Sequence, residues 1–339
     1  MQLLNKPTTL SDISCIMLTI LPLAIIFCSL ASVENMASRE KSVFTTVVYP
    51  TQWSETNTLL LVESIRNFGG ALAQNPIWCL VPQYGKQLST NFKDRIIKLD
   101  VTILPFEIDS DVVRFFFAGD IRAAALAESL AIGQTDLLIW LSSNTIVLQE
   151  PTAFVLPHER SLGYRPVHHI NIGSPCDEDP DVFWTLTYQY CKVPKDRIFP
   201  MQTHVDDLTI RPYFNAGIIV TRPEKQLFKT WRDVFFEVYQ NPKVQEIYQQ
   251  DKRYTIFIHQ AILSGTILAT FTLEDLYELP RTYNYPIHLH ADDATAHRPT
   301  CLDDLVTIRH EGFYQDPNWK QTMPASDSLK EWLAEKLRQ

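Results

Sequence analysis

Leu137, Leu138, Ile139, Trp140 and Leu141 form an unbroken apolar block of strand length, the pattern of a central strand buried on both faces of a parallel sheet. The block stops at Ser142-Ser143-Asn144, resumes at Ile146, Val147 and Leu148, and ends at Glu150-Pro151. Open α/β sheets bind ligands at the carboxyl ends of their strands. The polar triplet therefore stands where such a sheet presents its chemistry.

The pattern on either side supports the same architecture. Residues 42–49 (SVFTTVVY) are rich in β-branched side chains and run into Pro50, which predicts a first strand. Leu59, Leu60, Val62, Ile65 and Phe68 recur at helical spacing and Gly69-Gly70 stops them, so a helix opens near residues 51–54. Strands are expected at 77–81, ending at Pro82, and at 101–104, ending at Pro105. A β-α-β opening of this kind predicts a mostly parallel sheet with right-handed crossovers. An Ala-rich helix is expected at 115–132, with a small-residue face able to lie close on the sheet. Beyond Pro151 comes a loop-rich excursion with a helix near 182–190. The run YFNAGIIVT (213–221) gives another strand, with Gly217 permitting close approach of a ligand or a second backbone. Helices follow at 225–239 and 259–268, then a last strand at 305–310 and a closing amphipathic helix at 328–338. His288 and His290 alternate as if on a strand.

Composition narrows the classes. The chain has 339 residues, 45% hydrophobic and 20% charged, enough for one large or two modest cores. A formal net charge of -9 argues against nucleic acid, since no Lys/Arg cluster is present to displace phosphate counterions. Residues 13–31 are apolar and uncharged, about long enough to cross a bilayer at roughly 1.5 Å per residue. They read as a membrane anchor, as a signal peptide cleaved near Ala31, or as an extension ahead of a start at Met36. The first two readings imply membrane attachment or the secretory, extracytoplasmic side; the third implies the cytoplasm. Four of the six cysteines lie beyond this segment without CxxC spacing, which argues against a thiolate zinc site. Cys176 and Cys191 can pair in an oxidising compartment, although free buried thiols are the commoner outcome.

The order of runs resembles the GT-A nucleotide-diphospho-sugar glycosyltransferases, the retaining family that includes glycogenin and lipopolysaccharide galactosyltransferases. Their phrase LYLDSDTLVLQDP is similar to IWLSSNTIVLQEP here (139–151), with Ser142 and Asn144 in place of the two aspartates of Asp-x-Asp. Their YFNSGV resembles residues 213–218, with Asn215 and Gly217 retained. Their DQ resembles His259-Gln260, their LP..YN resembles Leu279, Pro280, Tyr283 and Asn284, and their HF.G..KPW resembles the text from His310 to Trp319.

The resemblance implies a Rossmann-like, mostly parallel sheet with helices on both faces. It implies three segments: an apolar segment and linker over 1–41, a catalytic domain over 42–322 and a C-terminal helix over 323–339. It further implies transfer of a hexose from a nucleotide-sugar donor to a glycan or other acceptor. Ser142, Asn144 and His310 would line the diphosphate region and Asn215 with Gln260 would face the sugar or acceptor. The family holds Mn²⁺ or Mg²⁺ on carboxylates and one His. Neutral Ser142 and Asn144 bring no charge, so metal dependence should be weakened or absent. Arg122, with Arg114 second, is then the expected guanidinium for the phosphates. The alternative is a noncatalytic relative that binds a glycan or a protein partner.

Overall fold

Alternation along β1 (Ser42–Val47) sets up two cores at once: Val43 and Val47 enter one, Phe44 the other. The computed structural model describes residues 40–83, 85–108, 112 and 115–338; the apolar run 13–31, Met36 and Arg114 lie outside the described residues. After Pro50 the Thr51 hydroxyl accepts the Ser54 N–H at 3.2 Å and caps α1 (Gln52–Phe68), satisfying one of the orphan donors of its first turn.

β2 (Ile77–Gln83), α2 (Thr90–Lys98) and β3 (Val101–Glu107) complete the parallel β-α-β opening. The periodicity does not announce α2, because only Phe92 and Ile96 are buried along it; its start is fixed by Ser89, which caps Phe92 N–H. β3 continues through Pro105, where the sequence predicts its end. It is an edge strand paired with β2 alone, and an edge tolerates the N–H that proline lacks.

α3 (Ala118–Ala131) begins later than expected, because Phe117 has φ of 62° and cannot belong to the helix. The predicted small face is present: Ala123, Ala124, Ala125 and Ala127 are fully buried. β4 (Leu137–Leu141) then lies at the centre of the sheet, between β1 and the strand β9 given below. Its Leu138 and Trp140 join the core that contains the α3 alanines, and Leu137, Ile139 and Leu141 join the core that contains the α1 leucines. With both faces covered, no position in β4 has a solvent side to be polar on.

β5 (Thr145–Val147) leaves the main sheet. The chain continues through β6 (Leu162–Pro166), α4 (Val182–Cys191), the short pair β7 (Met201–Gln202) and β8 (Thr209–Ile210), and β9 (Phe214–Thr221). There follow α5 (Leu227–Val238), α6 (Pro242–Gln250), α7 (Lys252–Thr270), β10 (Leu276–Glu278), β11 (Tyr285–Pro286), β12 (Thr307–Arg309), α8 (Trp319–Thr322) and α9 (Asp327–Leu337). α7 starts well before His259, and Tyr254 and Phe257 in its first turns pack against the core while only partly buried.

The main sheet has seven strands in the order β10-β6-β9-β4-β1-β2-β3, parallel except that β9 runs against both its neighbours. β11, β12 and β5 form a separate three-stranded sheet over a third core, which includes Trp319 and Leu333. The α/β expectation therefore holds, with Lys41 onward in one unit. His288 sits in a short 3-10 turn, Ile287–Leu289, rather than on a strand, where it is not paired in register with His290. Cys176 and Cys191 are free thiols, as are Cys79 and Cys301. Among the described residues no helix is long and apolar enough to cross a membrane.

Glu128 in α3 caps a neighbouring helix, accepting Phe228 N–H at 3.1 Å and Lys229 N–H at 2.8 Å in the first turn of α5. Burial nevertheless pushes its carboxyl up to about 7, from an ordinary 4.5. A raised carboxyl favours the folded chain at low pH, and that contribution is lost as pH rises through 7. Wild type should therefore lose stability relative to Glu128→Gln between pH 4.5 and 7, on the order of 3 kcal/mol. Denaturant unfolding of the two proteins across that interval checks it, and parallel curves would refute the assignment.

Candidate active site

The end of β4 is tied to β9 by Ser142 N–H, which donates to Gly217 O at 2.9 Å. Beyond the turn, β5 pairs antiparallel with β12, setting Thr145 opposite Arg309 and Ile146 opposite Ile308. This pairing delivers a segment from the far end of the chain to the polar triplet. His310 N–H donates to Asn144 O at 2.9 Å. Asn144 Nδ2 donates to Glu311 Oε1 at 3.0 Å, and that oxygen lies 3.4 Å from Arg309 Nε.

Two cavities meet over these strand ends. One, of about 280 Å³, is bounded by β9 and α7 and lined by Asn215, Gln260, His259 and His168 among others. The second, of about 500 Å³, opens toward α1 and is lined by Tyr49, Trp53, Asn57 and the triplet itself. Phe117, Asp120, Ser142, Arg309 and Glu311 line both. The left-handed backbone at Phe117 sets its ring against His259, with centroids 4.1 Å apart and planes at 27°.

Electrostatically the cleft centres on one guanidinium. Among the described residues, Arg309 is the sole Lys or Arg lining either cavity, and its side chain is 17% exposed. It lies over Gly217, where an added Cβ would overlap its Nη1. Burial, with the Arg309 charge adding to it, pushes the His310 imidazole down to about 3 and that of His168 well below its ordinary range. Burial likewise takes His259 to about 3. Asp120 accepts the Tyr49 hydroxyl at 2.6 Å. Burial raises its carboxyl to about 6, against the opposing pull of that hydrogen bond and of Arg309.

Of the residues singled out by sequence, Ser142, Asn144, Asn215 and Gln260 come together in this cleft. Asn215 Oδ1 accepts Gly217 N–H at 2.8 Å and Gln260 Oε1 accepts Ala216 N–H at 3.0 Å, so β9 fixes both amides. His310 is next to Asn144 through the backbone but fully buried, and it lines neither cavity. Arg122 is elsewhere, its guanidinium 4.7 Å from the Phe236 ring centroid. The α3 side chain that lines the cleft is Asp120, while Arg122 packs against α5. Sequence reasoning passed over Arg309, Glu311 and Asp120. The first two flank His310 in IRHEGF, and Asp120 precedes Arg122 by two residues.

A family profile described as the Rhodobacterales glycosyltransferase domain matches residues 45–268, which include β1, the triplet, β9 and Gln260. The chain belongs to this glycosyltransferase family. Its sheet is mostly parallel, with helices on both faces. No curated protein matches by sequence. Among solved structures, the galactosyltransferase LgtC, crystallised with donor and acceptor sugar analogues, is similar at 14% identity and a TM-score of 0.48, over 87% of this chain and 95% of that one. The bifunctional glycosyltransferase WbbM is similar at 12% identity and a TM-score of 0.46, over 89% of this chain and 53% of that one.

Membership raises the question of a hard divalent cation in this glycosyltransferase cleft. The donor set does not fit one. Among the described residues no group of three or more His, Cys, Asp or Glu is placed to hold a metal. Glu311, the carboxylate nearest the triplet, is occupied by Asn144 and Arg309. His310 Nδ1 accepts Gly312 N–H at 3.2 Å, which in the neutral ring leaves the proton on Nε2 and no lone pair there for a metal.

Proposed function

We propose that this glycosyltransferase moves a hexose from a nucleoside diphosphate sugar to a glycan or other hydroxyl-bearing acceptor, without a carboxylate-bound metal. The observation that carries the reading is the pair of adjoining cavities that share Ser142, Asp120 and Arg309. The cavity toward α1 offers Trp53, Tyr49 and Asn57, an aromatic and hydrogen-bonding surface suited to a nucleoside. The cavity over β9 offers Asn215, Gln260 and His168, a polar lining suited to sugar hydroxyls. A donor lying across both places its diphosphate at Ser142, Asn144 and Arg309.

In the reaction the acceptor hydroxyl oxygen forms a bond to the sugar C1 as the bond from C1 to the phosphate oxygen breaks. The bonding pair leaves on the nucleoside diphosphate, and the hydroxyl proton passes to the Asp120 carboxylate. Asn215 and Gln260 hold sugar or acceptor in place.

Titration of the full chain with uridine and guanosine diphosphate sugars, each in Mn²⁺ and in EDTA, tests the reading. Saturable binding of at least one donor is expected in EDTA. Absence of binding to every donor under both conditions would overturn it in favour of a noncatalytic binding module.

A further inference from the structure

A nucleoside diphosphate sugar carries two negative charges into a partly enclosed cleft, and something must offset them both on binding and as charge builds on the leaving phosphate. The residues that would hold a divalent cation are missing, yet the cleft is not without positive charge. Arg309 lines both cavities and is the only cationic side chain that does so among the described residues.

Its placement is specific. The β5–β12 pairing sets it across from Thr145, beside the triplet. Gly217 leaves the space its guanidinium occupies, since any Cβ at that position would overlap Nη1. Glu311 is its counter-ion in this structure, at 3.4 Å and with its own side chain 47% exposed. A carboxylate that open to water can swing aside when phosphate oxygens take its place. A guanidinium has five N–H donors in a planar fork, and those that Glu311 releases can take two phosphate oxygens. His310, beside it in sequence, keeps its Nε2 buried without a partner.

We infer that Arg309 binds the donor diphosphate and supplies the positive charge that offsets it, with Glu311 as its counter-ion when the site is empty of donor. The inference rests on the proposed donor reading. It adds the identity of the neutralising group and predicts that binding of the diphosphate is indifferent to divalent cations.

The probes are uridine diphosphate and guanosine diphosphate, with uridine and guanosine as phosphate-free controls, measured by calorimetry on the full chain in EDTA and in Mn²⁺. For the nucleotide that wild type binds, Arg309→Gln should weaken the diphosphate by about 30- to 100-fold, the loss of charge-assisted hydrogen bonds. Binding of the matching nucleoside should stay the same. Arg309→Lys should recover part of the loss, because it restores the charge but not the fork. Gly217→Ala, which leaves Arg309 in the sequence but takes the space of its guanidinium, should weaken the diphosphate as well. Unfolding midpoints near that of wild type verify the fold, and Arg309→Lys and Gly217→Ala carry the comparison should Arg309→Gln not fold.

Diphosphate binding by Arg309→Gln as tight as wild type overturns this inference and leaves the donor reading standing. Wild-type binding that appears in Mn²⁺ and vanishes in EDTA overturns this inference and, with it, the metal-free part of the donor reading. Failure of wild type to bind either diphosphate or any diphosphate sugar removes the donor reading itself.

Discussion

Asp120→Asn is expected to lower kcat by about 10²- to 10⁴-fold, the range found when a positioned general base is removed. The substitution is nearly isosteric, and the amide oxygen can still accept the Tyr49 hydroxyl that the carboxylate accepts at 2.6 Å. Little should therefore change except the capacity to take a proton. That capacity is tuned by the site: burial lifts the carboxyl to about 6 from an ordinary 3.8, while Tyr49 and Arg309 hold it from rising further. At pH 7 the group is ionised and more basic than an exposed aspartate. Below 6 it is protonated and inactive as a base. Wild-type kcat/KM should accordingly rise with pH through about 6 and then level, and the variant should lack that limb. Steady-state rates across the range decide the matter: a variant that keeps most of its kcat, or that keeps the limb, removes Asp120 from the reaction.

The parts of this cleft that were legible in the sequence are those written into a continuous run. β4 was readable because both of its faces are buried, so apolar residues fill every position. The polar break at Ser142 to Asn144 marked the strand end, and YFNAG marked β9 in the same way. Arg309 was not legible, since its importance arises from the pairing of β12 with β5, a contact between residues far apart in the chain. Arg122 and Asp120 show the same limit from the other direction. Both belong to α3, and only packing against α5 and Phe236 decides that the arginine turns away from the cleft while the aspartate lines it. The third core is a similar case. β5 and β12 are three-residue strands, too short for a period to show, and they hold together by docking on Trp319 and its neighbours.

Replacing Arg165 by Ala is expected to cost about 2–4 kcal/mol of folding stability, from the cavity it leaves and the buried acceptors it strands. Arg165 sits in β6 at 1% exposure. Its Nη1 donates to Glu278 Oε1 at 2.8 Å and to Leu279 O at 2.6 Å, and its Nη2 bonds His204 Nδ1 at 3.0 Å. Burial brings the guanidinium down to about 10, with Glu278 opposing the shift, so it remains charged at neutral pH and its three acceptors depend on it. Glu278, with its side chain 49% exposed, can turn to water. Leu279 O and the buried His204 have less recourse, and each unpaired group costs about 1–3 kcal/mol. Arg165→Met refills much of the volume but restores no donor, so it should recover the cavity part of the loss and leave the unpaired acceptors. A fall in thermal midpoint on the order of 5–10 °C for Ala, with Met between Ala and wild type, is the expected order. Met equal to wild type would show that volume, and not hydrogen bonding, is what Arg165 supplies. The effect should reach the cleft as well. His204 packs edge-on against His168, with centroids 6.0 Å apart, and His168 lines the cavity over β9. Loss of the Arg165 anchor therefore loosens the wall on which the sugar is proposed to rest.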